Sequence, residues 1–128
     1  MIEIPSEYRG WWRITEMSRW GDRGLDILGT ALISITGRGD RLRLHVLLAY
    51  VNWKVNSASL SFSWNGSWEF DEMSGTGNVK LRRDDRLDGK FAIRKGERST
   101  FVAERADAPE HPIADPPSWR DKWGSRRW

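Results

Sequence analysis

The sequence contains no cysteine, and its longest uninterrupted apolar run, Val46–Val51, has only six residues. The first absence excludes disulfides, thiolate catalysis and cysteine metal sites. The second excludes a membrane-spanning helix, which needs about 20 apolar residues. Residues 1–5 contain neither a basic segment nor a long apolar segment, so no secretory signal is visible. We therefore expect a cytoplasmic protein that does not associate with a membrane.

The sequence also has only a small excess of charge of one sign. The chain has 21 basic and 18 acidic residues, which give a formal net charge of +3. The densest basic segments, 38–43 and 80–86, both contain aspartate. Because a nucleic-acid footprint is clustered and unopposed by acidic groups, this distribution argues against nucleic acid as a partner.

Sustained helical periodicity is missing as well, and apolar and polar residues instead alternate with a period of two. The alternating runs are 31–35, 42–50, 60–64, 79–82, 87–94 and 100–104. Such alternation is typical of antiparallel strands with one buried face. Closure into a barrel would remove the exposed edges of such a sheet. The sequence therefore predicts an all-β, antiparallel up-and-down barrel of about eight strands within residues 1–106.

Several segments between or within these runs have the composition of tight turns. They are Gly37–Asp40, Asn65–Gly66, Asp84–Asp85 and Lys95–Glu97. We interpret 42–50 as one strand, with His45 on its outer face. Gly89 lies on the same strand face as Phe91, where its missing side chain would make room for a neighbouring aromatic ring or let the strand bend.

Nine tryptophans and four phenylalanines supply a large apolar surface. An eight-stranded barrel has room for its own side chains or for one small ligand. On a regular first strand Glu16 would share the face of Trp12 and Ile14, either near the end of the sheet or pointing into a cavity. The ligand-binding residues predicted for the barrel interior are Trp12, Ile14, Glu16, Phe62, Trp64, Phe91 and Phe101.

Residues 107–128 have a different composition from the rest of the chain. Four of the five prolines lie between positions 109 and 117, which predicts an extended arm. Beyond them, 118–124 has the spacing of a short helix with a tryptophan face. Tryptophan and arginine are frequent in binding hot spots. We expect the arm to fold back on its own barrel, to join a homodimer or to bind a protein partner through Trp119, Trp123, Arg126, Arg127 and Trp128.

Few groups in the sequence could carry chemistry. Glu69, Asp71 and Glu16 could divide acid and base work or bind a cation. In the glycine- and serine-rich stretch 69–77, however, acidic residues often accept hydrogen bonds from backbone amides. His45 and His111 lack the spacing of a zinc site. We expect no catalytic residue, no metal and no cofactor.

Gly10 and Trp12 resemble the Gly-x-Trp signature on the first strand of calycin barrels, the lipocalins and their relatives. In those folds the tryptophan packs against a basic residue of the last strand, and the matching residue here is Arg105. The resemblance implies that Gly10, Trp12 and Arg105 close the barrel, and it suggests ligand binding by analogy.

A longer pattern is similar to a large family of small bacterial proteins with no assigned function, and it covers about residues 4–106. Its motifs are Gly-x-Trp-Arg-Ile-x-x-Met, Leu-Asp-Leu-Val-Gly, Phe-Ser-Trp-x-Gly-x-x-Glu-x-Asp, Ser-Gly-x-Gly and Gly-Asp-Asp-Ser-x-Phe-x-Ala. The similar segments here are 10–17, 25–29, 62–71, 74–77 and 96–103. Arg98 replaces the second acid of the last motif, and 51–55 lacks the cysteine often present in the family. The resemblance implies a fold and a bacterial origin but no activity.

The barrel and its aromatic interior predict a non-enzymatic protein that binds a small hydrophobic ligand, with Glu16 orienting a polar group of that ligand. The alternative is a protein-interaction module that acts through the arm. The two predicted parts of the chain are the barrel, 1–106, and the arm, 107–128.

Overall fold

The computed structural model describes residues 3–19, 24–69 and 71–117. Eight strands form one closed barrel in which each strand is antiparallel to the next and the last pairs with the first. The prediction of an all-β, up-and-down barrel is confirmed. The strands are β1 Gly10–Met17, β2 Leu32–Ile35, β3 Asp40–Leu44, β4 Leu47–Val55, β5 Leu60–Trp68, β6 Asp71–Leu81, β7 Leu87–Ile93 and β8 Arg98–Ala106.

Alternation along the strands places the apolar side chains inside the barrel. In β4, for example, Leu47, Ala49 and Val51 are buried, and the residues between them are more exposed. The pattern recurs in β3, β5 and β7. One contiguous apolar core results, and its removal from water is the main source of stability for a fold without disulfides.

The interpretation of 42–50 as one strand is wrong. His45 and Val46 form a two-residue turn between β3 and β4, so His45 is not on the outer face of a strand. The φ angle of His45 is 53°, and a positive φ is what a two-residue hairpin turn requires. Residues 45–46 contain no glycine, asparagine or aspartate, which are the usual residues of such turns, so the alternation of 42–50 concealed the turn.

The prediction of a turn at Asn65–Gly66 is also wrong, because both residues lie inside β5. Gly66 is opposite Ala49 of β4. A Cβ atom on Gly66 would overlap the backbone of Leu48 and Ala49. The glycine therefore permits a close approach of two strands and does not reverse the chain. The chain reverses farther on, near Glu69, whose φ is 60°.

A buried carboxylate fixes the turn between β2 and β3. Asp40 accepts hydrogen bonds from the Ser34 hydroxyl at 2.9 Å, the Thr36 amide at 3.0 Å and the Gly37 amide at 2.8 Å. These bonds offset the cost of taking the carboxylate out of water. The chain also turns between β6 and β7 and between β7 and β8, where Asp84–Asp85 and Lys95–Glu97 were expected to form turns.

The two ends of the barrel are closed differently. One end, which we call the helix end, has a single 3-10 turn, Ser6–Tyr8, in which Tyr8 is buried. The Tyr8 hydroxyl accepts a hydrogen bond from the Leu81 amide at 3.1 Å. At the opposite end, which we call the loop end, residues 24–30 form turns and place Leu25 in the core. The Leu25 carbonyl accepts a hydrogen bond from the His45 amide at 2.7 Å.

The described part of the arm, residues 107–117, contains no helix and no strand. We call these residues the strap, because they lie against the outer face of the barrel. Ile113 in the strap is 5 % exposed, and Asp115 forms an ion pair with Arg41 of β3 at 2.9 Å. The predicted helix 118–124 and the interaction residues Trp119, Trp123, Arg126, Arg127 and Trp128 lie outside the described residues.

Candidate functional site

Six of the seven residues predicted to bind a ligand inside the barrel are buried in its core. Their side chains are only 0 to 3 % exposed. The six residues are Trp12, Ile14, Phe62, Trp64, Phe91 and Phe101.

The aromatic rings among them pack on one another and on glycines. Trp64 stacks on Phe91 with ring centroids 5.1 Å apart. A Cβ atom on Gly89 would overlap the Phe101 ring, and one on Gly77 would overlap the Phe62 ring. The strands at these glycines leave room for rings that the protein itself supplies. Gly89 therefore accommodates an aromatic ring, which is one of the two roles expected for it.

The polar atoms of the interior are also satisfied by the protein. The indole N–H groups of Trp12, Trp53 and Trp64 donate to the backbone carbonyls of Tyr8, Ser34 and Ala92, at 2.9, 3.2 and 3.2 Å. Within residues 3–19, 24–69 and 71–117, the one buried side-chain nitrogen or oxygen without a partner is Nδ1 of His45, in the β3–β4 turn. These aromatic residues therefore offer a ligand no free hydrogen-bonding group.

Glu16, the seventh residue, does not face the interior. The pairing of β1 with β8 shifts register between Ile14 and Glu16, which leaves Thr15 as the extra residue of a β-bulge. A bulge changes the face on which the following residues lie. Glu16 is consequently exposed and Met17 is buried instead. The prediction that Glu16 orients a ligand inside the barrel is wrong.

The three residues implied to close the barrel lie together at the helix end. The Arg105 guanidinium lies over the Trp12 ring, with Cζ 4.4 Å from the ring centroid. Arg105 also donates to the Glu7 carbonyl at 2.6 Å and to the Asp85 carboxylate at 2.7 Å. The hydrogen bond from Arg105 lowers the pKa of Asp85. Gly10 begins β1 with a φ of 132°, a conformation that L side chains rarely adopt.

The carboxylates considered for catalysis are exposed, and Glu69 belongs to a turn. Its amide donates to the Val46 carbonyl at 3.2 Å, and its own carbonyl accepts from the Ser67 hydroxyl at 2.5 Å. Asp71 follows at the start of β6.

His45 stacks on Trp68 with centroids 5.1 Å apart. No group of three or more histidine or acidic side chains within the described residues could hold a metal ion.

A feature that the sequence did not reveal lies on the outer face of β5, β6, β7 and β8. Three adjoining cavities of about 540, 550 and 470 Å³ share lining residues there. We call them together the basic groove. Paired residues form a row across the groove, in the order Ser63, Thr76, Ala92 and Arg98. The row spans three strand spacings, or about 14 Å, and the short side chains of its first three members leave the floor open.

The groove takes its charge from four residues whose side chains form no ion pair with a carboxylate of the described residues. The four are Lys90, Arg94, Lys95 and Arg98. Six other arginines do have such partners, namely Arg13, Arg19, Arg41, Arg82, Arg86 and Arg105. The groove has one acidic lining residue, Glu72. The formal charge of the groove lining is therefore four positive minus one negative, or +3.

Glu97, next to Arg98 in sequence, is engaged elsewhere. Both of its carboxylate oxygens accept hydrogen bonds from Arg19, at 2.9 and 3.0 Å. These bonds lower the pKa of Glu97 and raise that of Arg19. Glu97 therefore stays ionised against Arg19, and the nearby cations of the groove remain available to a ligand.

Sequence reasoning missed the groove because its floor was assigned to turns. Because the sequence predicts a turn at Asn65–Gly66 and no strand in the glycine- and serine-rich stretch 69–77, it does not show that the outward faces of β5 and β6 are neighbours. The signal was present in the alternation of short polar residues on the two strands. These residues are Ser61, Ser63 and Asn65 on β5 and Ser74, Thr76 and Asn78 on β6.

No helix within the described residues has both the length and the apolar character needed to cross a membrane. Comparison with known proteins finds no matching protein-family model, no matching curated protein and no matching solved structure.

Proposed function

We propose that this chain is a non-enzymatic binding protein whose barrel is a scaffold and whose basic groove binds a small anionic molecule. The observation that carries the proposal is the set of four cations without a described carboxylate partner around the open floor of β5–β8. Six arginines elsewhere in the described barrel have carboxylate partners, whereas these four cations lie together without one, and we interpret them as charge kept for a ligand.

Hydrogen-bonding groups in the groove complement this charge. Arginine presents a planar fork of N–H donors that matches carboxylate, sulfate and phosphate oxygens. Ser74 and Thr76 on the floor add hydroxyl donors beside Arg94 and Arg98. Charge and donors thus line the same groove.

The affinity for a simple anion should be modest, because these cations are solvated. A pair of charges 4 Å apart gains about 1 kcal/mol in bulk water and about 4 kcal/mol at an effective dielectric constant of 20. Two or three contacts near the lower limit supply about 2–3 kcal/mol, which corresponds to a dissociation constant of about 5–30 mM. Salt should weaken such binding, because it screens exposed charges.

Titration with sulfate, followed through the backbone amide signals in NMR spectra, tests this proposal. We expect the signals of the groove residues on β6 and β7 to shift, and the double variant Arg94→Ala/Arg98→Ala to bind at least about tenfold more weakly. Arg83→Ala is the matched control, because Arg83 is exposed, has no ion pair with a described carboxylate and lines none of the three cavities.

Sulfate that shifts no groove signal would overturn the proposal. Equal weakening per charge removed by Arg83→Ala and by Arg94→Ala/Arg98→Ala would also overturn it, because the effect would then come from net charge and not from a site.

The loop end favours a second candidate, uptake of a hydrophobic ligand by the barrel itself. Leu25 closes this end on a segment that contains Gly24 and Gly29, both with positive φ. Ile27 and Leu28 on the same segment are exposed, Ile27 by 55 %. Native mass spectrometry of gently purified protein would test this candidate. Excess mass that disappears on denaturation, and that Leu25→Ala alters, would support it; a bare chain mass would count against it.

A further inference from the structure

One cavity of the basic groove has apolar walls as well as cations. Tyr50, Met73 and Ile93 of the barrel line it together with Pro116 and Pro117 of the strap. Arg94 and Lys95 line the same cavity. A ligand there would meet flat or apolar surfaces together with two cations and one carboxylate, that of Glu72.

The strap is held against the barrel by contacts of unequal strength. Ile113 is almost completely buried, whereas the Asp115 side chain in the ion pair with Arg41 is 70 % exposed. An exposed ion pair contributes little, while burial of an isoleucine contributes substantially. Ile113 is therefore the main anchor of the strap, and Asp115 is the weaker one.

The weaker contact, between Asp115 and Arg41, lies close to the groove. Arg41, the partner of Asp115, also lies over the Tyr50 ring, with Cζ 4.4 Å from the ring centroid. Pro116 and Pro117 follow Asp115 directly, and their rings restrict the backbone. Pro116 is buried and Pro117 is half-buried. The strap thus brings two stiff apolar side chains to the rim of a cavity that Tyr50 also lines.

We propose that Pro116 and Pro117 of the strap form a built wall of the binding site and that the natural ligand carries a flat apolar ring on its anionic group, as an aryl carboxylate, sulfonate or phosphate does. The ring lies between Tyr50 and the two prolines, and the anionic group lies at Arg94 and Lys95. This inference rests on the proposed function and names its ligand class. It gives the prolines of the arm a role within the chain's own binding site.

Two sulfonates that differ only in the group attached to the anion test the inference. Methanesulfonate reports the anion site alone, and naphthalene-2-sulfonate adds a flat ring. We expect the unmodified chain to bind the naphthalene compound about tenfold or more tightly, because the ring gains apolar and aromatic contacts. Dissociation constants for both come from the same NMR titration.

Variants of the strap then locate the ring. Pro116→Gly/Pro117→Gly should reduce the preference for naphthalene-2-sulfonate over methanesulfonate to about threefold or less, because the wall is lost and the backbone is freed. Pro109→Gly/Pro112→Gly is the matched control. It removes two prolines from the same strap, but they line a different cavity, over β2 and β3. The control should keep the full preference.

The outcomes separate the two proposals. If neither sulfonate shifts the groove signals, the proposed function fails and the inference falls with it. If both bind with equal affinity, or if the control variant loses the preference as much as Pro116→Gly/Pro117→Gly does, the anion site stands and the strap wall is wrong. Retention of the full preference by Pro116→Gly/Pro117→Gly would also overturn the inference.

Discussion

Trp64 and Asn65 are neighbours in β5, but their side chains lie in opposite environments. Trp64 is buried, stacks on Phe91 and donates its indole N–H to a backbone carbonyl. Asn65 is exposed on the floor of the basic groove, in a cavity that Arg94 also lines. The same contrast separates Phe91 from Ala92 in β7. Each strand therefore contributes to a filled interior and to an open outer groove.

Stability and ligand binding therefore depend on different faces of the same sheet. Inside, rings occupy the space beside glycines, and the indole N–H groups have protein partners. Outside, four cations surround short polar side chains. Interior substitutions should change the free energy of unfolding, whereas groove substitutions should change affinity with little effect on stability.

Truncation of an interior tryptophan should have the largest effect. We expect Trp12→Ala to lower the free energy of unfolding by about 3–5 kcal/mol, because it leaves a cavity and removes the surface on which Arg105 lies. Its neighbour Trp11 is partly exposed beside the strap, and Trp11→Ala should cost less than half as much. Urea denaturation measures both. Equal losses of unfolding free energy for the two variants would contradict the conclusion that the inner face of the barrel carries the stability.

Overfilling the interior should cost less than emptying it. Gly89→Ala places a methyl group against the Phe101 ring, and we expect a loss of about 1–3 kcal/mol. Phe101→Leu should create room for that methyl group. The double variant should therefore lose clearly less stability than the sum of the two single variants. Strict additivity in denaturant titrations would show that the glycine and the ring do not compete for the same space.

Much of the fold could be predicted because strand periodicity is a local signal. The alternation that placed Phe62 and Trp64 on one face of a strand depends on neighbours two residues apart. The residues of β8 were placed equally well, and Arg105 lies over Trp12 as the resemblance implied. Apolar residues on regular strands therefore needed no tertiary information.

The errors occurred where tertiary contacts override the local signal. Gly66 has the composition of a turn, but the close backbone of β4 requires glycine there. Thr15 gives no sign of a bulge, because the bulge depends on how β1 pairs with β8. The groove was hidden for a related reason: its four cations lie close together in the sequence, at 90–98, but the polar floor of β5 and β6 comes beside them only when β5, β6, β7 and β8 pair side by side.

A surface ion pair should respond to pH in a way that interior packing does not. Arg105 lowers the pKa of Asp85, so the pair contributes stability above the unfolded-state pKa of about 4 and loses it as the pH falls through the lower folded-state pKa. Asp85→Asn should therefore destabilise the barrel slightly at pH 7 and less at pH 3. Asparagine suits this position, because Asp85 has a φ of 62°.

Midpoints of unfolding for wild type and Asp85→Asn at the two pH values measure this difference. Gly89→Ala serves as the comparison, because crowding of the uncharged Phe101 ring should cost nearly the same at pH 3 as at pH 7. A difference for Asp85→Asn that stays constant with pH would argue against the assigned ion pair.

The smallest effect is expected at Glu16. It tests which residues at the end of β1 face the interior of the barrel and which face outward. The bulge at Thr15 places Glu16 outside and Met17 inside. Glu16→Gln should change the free energy of unfolding by no more than about 0.5 kcal/mol and should leave sulfate binding unaltered, because Glu16 lines none of the three groove cavities. Met17→Gln should cost about 2–3 kcal/mol, because it buries an amide among apolar groups. If Glu16→Gln proved the more damaging of the two in urea denaturation, β1 would continue without a bulge and a carboxylate would face the interior.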